Sequence, residues 1–252
     1  MSVPSVLEAE TAALTAWPGL FTAFDGHWVW RAARGYSNRA NSIQCLDPAD
    51  GVDAPERIAR FTELFARHGL PTVFKTSPLT APEIHATFRS LGWESFGASR
   101  VLRLSMRARE WPAHHHTALF APTDPQWHEA QAAMSGYSAA TAETVRLILA
   151  AIACDSRGVL AYDEAGLPAA AALACVSGGV AIFGNVVSSP AHRGKGFGRA
   201  VMAAALNWSR DAGATGAAIQ VAADNAVALA LYASLGFGDG YDYGYFRPVR
   251  RA

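Results

Sequence analysis

The residues best suited to form a chemical site lie in a glycine-rich segment, residues 188–199, between a predicted strand and a predicted helix. Glycines at 194, 196 and 198 allow successive backbone N–H groups to turn inward without obstruction by a Cβ atom. The helix that follows adds free N–H groups and the positive end of its dipole. Cationic side chains stand at positions 193, 195 and 199. The segment therefore predicts a binding site for a pyrophosphate.

Two common nucleotide-binding fingerprints do not fit this segment. A Walker loop requires Gly-Lys-Ser/Thr at a fixed spacing, which is missing, and a dinucleotide fingerprint requires a third glycine where Arg199 stands. A nucleotide-phosphate-binding module is therefore disfavoured. A purely structural glycine turn stays open when the loop is considered alone.

A second pair of residues with chemical potential, Asn225 and Tyr232, lies in a predicted helix near the carboxyl end. They are seven residues apart, about two turns or ~10 Å, and so project from the same side of the helix. Val227, Leu231 and Leu235 form a neighbouring stripe that we expect to face the core. Tyr232 is then free to point at a ligand. Two simpler interpretations stay open, namely Tyr232 at the edge of the core and Asn225 as a helix cap.

These motifs together resemble the GNAT superfamily of N-acetyltransferases, whose signature Arg/Gln-x-x-Gly-x-Gly/Ala opens a helix. The segment from Arg193 to Gly198 fits this signature. The strand before it ends in Val-Val-Ser-Ser-Pro at 186–190, which resembles the family's Val-x-Pro-like segment. Asn225, followed by Leu-Tyr-Ala-Ser-Leu-Gly-Phe at 231–237, resembles the second family motif. The resemblance covers approximately residues 117–250.

The resemblance implies that acetyl-CoA is the cosubstrate. The backbone amides of residues 193–198 would bind its pyrophosphate, and the strand edge at 186–188 would pair with its pantetheine arm. A backbone N–H there could polarise the thioester carbonyl. The cofactor-binding residues implied in this way are Val186, Val187, Ser188, Arg193, Gly194, Lys195, Gly196, Phe197, Gly198, Arg199 and Asn225.

The same resemblance implies acetyl transfer to a primary amine by direct attack in a ternary complex. Tyr232 is the expected general acid, since a phenol pKa near ~10 is close to that of the departing thiol at ~8.5. No general base is evident, and His192 and Glu164 are weak candidates. The acceptor can be a small metabolite, an antibiotic, an amino acid or a protein amine, because the acceptor side varies on this fold. A non-catalytic CoA or acyl-CoA sensor is the alternative function.

The elements that must position these residues alternate between strands and helices, which predicts an α/β (α+β) fold. In the carboxy-terminal part we expect strands at 117–121, 158–162, 169–176, 180–187 and 217–222. Helices are predicted at 125–135, 142–153, 197–212 and 226–235, followed by a Tyr/Phe-rich end at 237–246. In the amino-terminal part we expect helices at 6–17, 53–68 and 81–91, the second capped by Asp53. Strands are predicted there at 26–33, 39–46, 72–76 and 95–104, with a hairpin turn at 34–38.

An internal repeat relates the two parts, because residues 86–93 match residues 230–237 at an offset of 144. The amino-terminal copy has Phe88 at the position of Tyr232, and no glycine-rich loop precedes its helix at 53–68. We therefore predict two GNAT-like units, each a mixed, mainly antiparallel sheet flanked by helices. Residues 1–106 form the degenerate unit, 107–116 the linker and 117–252 the catalytic unit.

Composition excludes several classes of partner. The chain has 252 residues, of which 51% are hydrophobic, with 21 basic and 21 acidic residues. Residues 1–106 contain ten of each charge and the remainder eleven of each, so neither part has a basic excess for nucleic acid. No apolar run approaches the ~18 residues of a membrane span, and the amino terminus shows no secretory signal. We expect a cytoplasmic protein with no nucleic-acid or membrane partner. The oligomeric state stays open.

Several other residues have weaker signals. The widely spaced Cys45, Cys154 and Cys175 indicate buried thiols rather than a zinc site or a disulfide framework, and the three histidines at 114–116 indicate a solvated run. No metal is therefore expected. The alternating tyrosines at 241, 243 and 245 either line a cleft or cover the sheet. Residues 39–41 are a further hypothesis for the acceptor cleft.

Overall fold

The strands of the described residues join one sheet of eleven strands. The computed structural model describes residues 3–106 and 109–249. The first part of the chain forms α1 (Val6–Ala16), β1 (Phe21–Asp25), β2 (Trp28–Ala32), β3 (Ile43–Cys45), α2 (Ala54–Arg67), β4 (Phe74–Thr76), α3 (Pro82–Ser90) and β5 (Trp93–Ser105). The second part forms β6 (Thr117–Phe120), α4 (Pro125–Ser135), α5 (Ala139–Ala150), β7 (Asp155–Tyr162), β8 (Pro168–Ser177), β9 (Val180–Ser188), α6 (Phe197–Asp211), β10 (Gly216–Ala222), α7 (Ala226–Leu235) and β11 (Gly238–Pro248). The predicted α/β class is confirmed.

The order of the strands shows that the two parts exchange their last strands. The sheet runs β1-β2-β3-β4-β11-β5-β10-β9-β8-β7-β6. Strand β11 pairs antiparallel with β4, and β5 pairs antiparallel with β10, while β5 and β11 pair with each other in the middle. Both parts also contain a parallel pair, β3 with β4 and β9 with β10. The repeat seen in the sequence thus corresponds to a repeated order of elements, strand-helix-strand-helix-strand.

Local chemistry explains most of the helix boundaries. Helix α7 has the predicted bounds because Asn225 caps its start and Gly236, at φ +99°, ends it. Helix α5 begins three residues earlier than predicted, at Ala139, because the Ser138 hydroxyl accepts a hydrogen bond from the Thr141 N–H. Asp53 is the residue before α2, as predicted, but its side chain makes no capping hydrogen bond. The prediction of a side-chain cap at Asp53 is therefore wrong.

The amino-terminal hairpin differs from its prediction. Residues 21–25 form β1, an edge strand paired with β2, and this strand was not predicted. Its Phe21 and Phe24 are exposed, so the strand lacks the alternation of buried and exposed residues that predicts a strand from sequence. The predicted turn at 34–38 belongs to a longer connection, which includes a short 3₁₀ helix at Asn38–Ala40, and β3 begins only at Ile43.

The segment between the two parts is anchored by a buried tryptophan. Trp111 is 2% exposed, its indole N–H donates to the Leu235 carbonyl oxygen at 2.9 Å, and the Asn207 amide holds its backbone. Residues 107 and 108 of the predicted linker lie outside the described residues. Within the described residues, no helix is long and apolar enough to cross a membrane.

A buried ion pair joins α1 to β4. The Glu10 carboxylate contacts the Lys75 ammonium group, and it also accepts hydrogen bonds from Gln44 at 2.5 Å and Tyr241 at 2.7 Å. Burial disfavours the charged form of the Glu10 carboxyl group. The three partners outweigh this effect of burial, so the pKa of Glu10 is lowered. Because the folded-state pKa is lowered, the stabilisation is present above the unfolded pKa of ~4.3 and is lost as pH falls through the folded-state pKa.

We expect Lys75→Met to destabilise the protein by about 3–5 kcal/mol, because it leaves a buried carboxylate without its cation. Urea unfolding at pH 7 measures the change. The matched control is Arg100→Met, which breaks the exposed ion pair between Arg100 and Asp242 on the same sheet. That change should cost less than about 1 kcal/mol. Equal losses in the two variants would contradict this description of the pair.

Candidate active site

A cleft opens where two parallel strands separate. Strands β9 and β10 pair from Val180 with Gly216 to Phe183 with Ile219, and no further. Beyond that point β9 continues to pair with β8, and β10 continues to pair with β5. The backbone edges of 184–188 and 220–222 therefore face each other across a gap rather than hydrogen bonding to each other.

A β-bulge lies at the start of this gap. The register between β8 and β9 shifts by one residue between Leu173–Gly184 and Ala171–Val187. Asn185 lies within the shift at φ +51°, a left-handed conformation that asparagine tolerates better than most residues. Bulges of this kind bend a strand and increase its local twist. The bulge therefore accompanies the separation of β9 from β10.

The cleft is large enough for an extended ligand. Its inner part has a water-accessible volume of about 530 Å³, and its outer part, towards α6, about 440 Å³. Val186, Val187, Arg193, Asn225 and Tyr232 line both parts. Ser188 and Gly198 line the outer part only. Seven of the residues predicted from sequence are thus brought to one cleft.

The glycine-rich loop leaves the start of α6 free of side-chain caps. Gly196 occupies the capping position at φ +87°, and no side chain there accepts from the first-turn N–H groups. Gly194 also has a positive φ, +73°. A Cβ atom on Gly198 would lie 3.3 Å from the Ser188 hydroxyl oxygen, so a glycine there lets α6 approach β9 closely. The arrangement presents unsatisfied N–H groups and a helix dipole to the cleft.

The three cationic residues of the loop have different surroundings. Arg193 lines the cleft. Lys195 is exposed, and its carbonyl oxygen lies 3.0 Å from the His115 imidazole. The Arg199 guanidinium instead donates to the Ser234 hydroxyl at 2.6 Å, which joins α6 to α7. The Phe197 ring is buried and stacks on His115, so only its backbone is available to a ligand.

Tyr232 lies where the two parts of the cleft meet. It is 5% exposed and packs against Phe237. Burial raises the pKa of its phenol to about 12, with Arg39 opposing the rise. Among the described residues its hydroxyl has no hydrogen-bond partner. The group is therefore protonated at neutral pH and available to donate.

The predicted orientation of α7 needs correction. Leu235 is buried, as expected, but Val227 is 84% exposed and lies at the mouth of the cleft rather than in the core. Tyr232, not Val227, shares the buried side with Leu235. Asn225 combines two of its possible roles, because its side-chain oxygen caps α7 by accepting from the Ala228 N–H at 3.0 Å while the residue also lines the cleft.

The candidate bases do not reach the cleft. The His192 imidazole lies 2.6 Å from the Ser189 hydroxyl and 3.1 Å from the Asp163 carboxylate, and these contacts fix the entry to the glycine-rich loop. Glu164 lies in the exposed turn between β7 and β8. Among the histidines at 114–116, the solvated-run prediction is wrong for His115, which is half-buried between Phe197 and the Lys195 carbonyl oxygen.

The region that corresponds to the cleft in the amino-terminal part is filled by aromatic rings. Phe88 is 1% exposed and stacks on Phe246 at 4.6 Å and on Trp93 at 5.2 Å between ring centroids. Phe74 on β4 also packs against Phe88, with 5.1 Å between the ring centroids. The packing around Phe88 is therefore that of a core.

Several cleft residues could not be identified from the motifs. The inner part of the cleft is also lined by Gln131, Met134, Ser135, Tyr137, Phe183, Gly184, Asn185, Gln220, Val221 and Arg39. Of the hypothesised residues 39–41, Arg39 reaches the cleft, whereas the Asn41 side chain accepts from the Ala33 and Gly35 N–H groups and holds the preceding turn. Tyr243 and Tyr245 are buried on the sheet beside α1, which favours the covering role.

The described residues contain no group of three or more His, Cys, Asp or Glu side chains that could hold a metal ion. The three cysteines are unpaired, with Cys45 and Cys175 buried and Cys154 half-buried. The expectation of buried thiols is confirmed for Cys45 and Cys175 but is wrong for Cys154. What the site offers is a cleft with backbone donors at one end and a protonated phenol at its centre.

Comparison with known proteins identifies relatives along the whole chain. The chain is 24% identical over 246 residues to the "Uncharacterized N-acetyltransferase YobR" of Bacillus subtilis (strain 168), covering 95% of this chain and 97% of that protein. A GCN5-related N-acetyltransferase from Kribbella flavida has a similar structure, with a TM-score of 0.71, 17% identity and coverage of 97% and 96% of the two chains. A tandem GNAT protein from the clavulanic acid biosynthesis pathway has a TM-score of 0.65 at 15% identity, over 100% of this chain and 91% of the other. These two structures show the fold.

Residues 5–246 match the family described as "Probable histone acetyltransferase Rv0428c C-terminal". The match extends through the cleft and both copies of the repeat. The chain therefore belongs to this family, and it is an acyltransferase, a GNAT N-acetyltransferase.

Proposed function

We propose that the protein transfers the acetyl group of acetyl-CoA to a primary amine within a ternary complex. The observation that carries the proposal is the cleft between the diverging strands β9 and β10, which ends at the uncapped start of α6. A long, flexible thioester with a pyrophosphate at one end has the shape and charge that this cleft accommodates. We assign this chemistry to the second part of the chain, residues 117–252, with residues 1–106 as the degenerate unit.

Both ends of the cleft fit the cosubstrate. The backbone N–H groups of 193–198 would hold the pyrophosphate, since anions bind favourably at an uncapped helix start. Arg193 would add a cation at the same end. The unpaired edge of β9 at Val186, Val187 and Ser188 would hydrogen bond to the amides of the pantetheine arm, as one more strand does on a sheet edge.

Polarisation of the thioester follows from the bulge. Around Asn185 the backbone of β9 departs from its ladder with β8, so an N–H group there is free of strand pairing. Such a donor, fixed before the reaction, stabilises the charge that develops on the carbonyl oxygen. We assign this task to the backbone at 185–187.

Tyr232 is the proposed general acid. Its phenol, whose ordinary pKa near ~10 is raised by burial to about 12, is protonated across the neutral range. It lies at the junction of the two parts of the cleft. A proton donated from this position neutralises the departing thiolate. The position of Asn225 on the same side of the cleft fits a contact with the cosubstrate.

We expect Gly196→Asp to weaken CoA binding at least tenfold, or ~1.4 kcal/mol, because it places a carboxylate where the phosphate binds. Isothermal titration calorimetry measures this. Gly213→Asp is the matched control, since Gly213 is also left-handed, at φ +90°, and has open space around its Cα. The control should share the backbone strain and keep the affinity. Unchanged affinity in folded Gly196→Asp would remove the loop from the site.

We expect one CoA per chain, because the amino-terminal part lacks a glycine-rich loop before α2 and its corresponding region is filled around Phe88. Native mass spectrometry of the full chain with excess CoA counts the bound molecules. Two specifically bound molecules per chain would contradict the assignment of the first part as degenerate.

We expect Tyr232→Phe to lower kcat by about 10²–10⁴-fold with little change in the affinity for acetyl-CoA, because the ring and its packing remain. Thiol release with a reactive amine, under conditions where chemistry limits the rate, measures the loss. Phe237→Leu serves as a packing control, since it changes a ring against Tyr232 without removing a hydroxyl. Full turnover in Tyr232→Phe would make Tyr232 a packing residue.

A further inference from the structure

A second, narrower pocket lies beside the cleft, on the side of the amino-terminal part. It is lined by residues of α1, β2, β3, β4, β8, β9 and β10, and it shares Arg39, Phe183, Gly184, Asn185 and Gln220 with the inner part of the cleft. Its water-accessible volume is about 40 Å³. Since one water needs ~10–15 Å³ by this measure, the pocket holds about three waters, or one carboxylate group.

The charges around this pocket do not balance. Arg31, Arg39 and Lys75 line it, against the carboxylate of Glu10. Lys75 is paired with Glu10. Among the described residues, Arg31 and Arg39 make no ion pair with a carboxylate. The pocket therefore has an excess of positive charge next to the reacting end of the cleft.

Arg31 is buried, at 5% exposure, and is held by carbonyl oxygens alone. Its guanidinium donates to the Trp17 carbonyl oxygen at 2.8 Å and to the Arg39 carbonyl oxygen. Burial lowers the pKa of Arg31 to about 10, while Tyr245 and Glu10 counter this fall. A buried guanidinium without a carboxylate partner is costly, and an anion beside it would offset much of that cost.

Three residues that line the same pocket have a buried polar side-chain atom without a hydrogen-bond partner. These atoms are the Arg31 Nε, the Asn185 Nδ2 and the Gln44 Oε1. Two of these are donors and one is an acceptor. Buried polar groups in native proteins are nearly always satisfied, so the two donors favour a ligand that supplies acceptor oxygens.

We propose that the acceptor of the reaction is a small amine that also carries a carboxylate, of the amino acid class, and that Arg31 and Asn185 bind this carboxylate. The proposal rests on the proposed acetyl-transfer function. The narrow pocket receives the carboxylate, and the amine extends past Gly184 and Asn185 into the cleft. The neutral amine nitrogen bonds to the acetyl carbon, the carbon–sulfur bond breaks and the thiolate takes a proton from Tyr232. The amine releases a proton to solvent, and solvent returns one to the Tyr232 phenolate. The carboxylate is unchanged.

The first test compares matched acceptors that differ only in the carboxylate. Thiol release from acetyl-CoA is measured with amino acids and with the corresponding amines, such as phenylalanine with phenethylamine and lysine with cadaverine. We expect kcat/KM to be at least 10²-fold higher for the carboxylate-bearing member of an accepted pair. Equal rates within every pair, or transfer to protein amines alone, would overturn the proposal.

The second test replaces a donor by an acceptor within the pocket. Asn185→Asp keeps the shape and the tolerance of a left-handed backbone, but it removes the Nδ2 donor and adds a negative charge. We expect KM for the amino acid to rise at least tenfold and the preference for the amino acid over its matched amine to disappear. Asn38→Asp is the matched control, with the same charge change on the exposed 3₁₀ helix beside Arg39. An unchanged KM in folded Asn185→Asp would overturn the proposal.

A binding experiment separates failure of this proposal from failure of the proposed function. Thermal unfolding is followed with N-acetylglycine and with N-acetylmethylamine, with CoA present throughout. We expect only the carboxylate to raise Tm, and the rise to be lost in Asn185→Asp. No rise with the carboxylate contradicts the pocket assignment even where acetyl transfer proceeds. A rise without transfer to any amine supports the pocket and contradicts acetyl transfer.

Discussion

The separation of β9 from β10 is the constraint on which the rest of the site depends. Strand pairing stops after Phe183 and Ile219, yet each strand keeps its outer neighbour, so the sheet stays continuous around the gap. Backbone donors and acceptors on the facing edges are left for a ligand, which a fully paired sheet could not offer. The bulge at Asn185 bends β9 at the point where pairing ends. The loop at 193–198 and Tyr232 on α7 then meet at the same opening.

The exchange of last strands explains how the amino-terminal part contributes to the cleft. Strand β5 completes the sheet beside β10, and β11 completes the sheet beside β4, so the two parts share an extended hydrogen-bonded middle. The same arrangement brings α1 and the segment around Arg39 against β8 and β9. The amino-terminal part thereby supplies a charged wall beside the cleft, although its own corresponding region is filled by aromatic rings.

Much of the outer part of the cleft could be predicted from sequence because its determinants are local. Alternate glycines, of which Gly194 and Gly196 have positive φ, a helix start and an asparagine cap each leave a mark within a few residues. Arg193, Gly198 and Asn225 lie at the cleft. The prediction of which side of α7 faces the core is wrong because the helix has no charged residue from Ala226 to Leu235. With apolar side chains all around, the pattern cannot indicate which side faces the core.

Apart from Arg39, the residues around the narrow pocket could not be predicted, because they meet only through long-range sheet assembly. Arg31, Glu10 and Asn185 are far apart in sequence and have no shared spacing. Binding of the cosubstrate in the opening between β9 and β10 is tested most directly by a crystal structure of the chain with CoA. We expect pyrophosphate density at the amides of 193–198 and the pantetheine arm along 186–188, with the sulfur beside Tyr232. CoA bound elsewhere, with this opening empty, would contradict it.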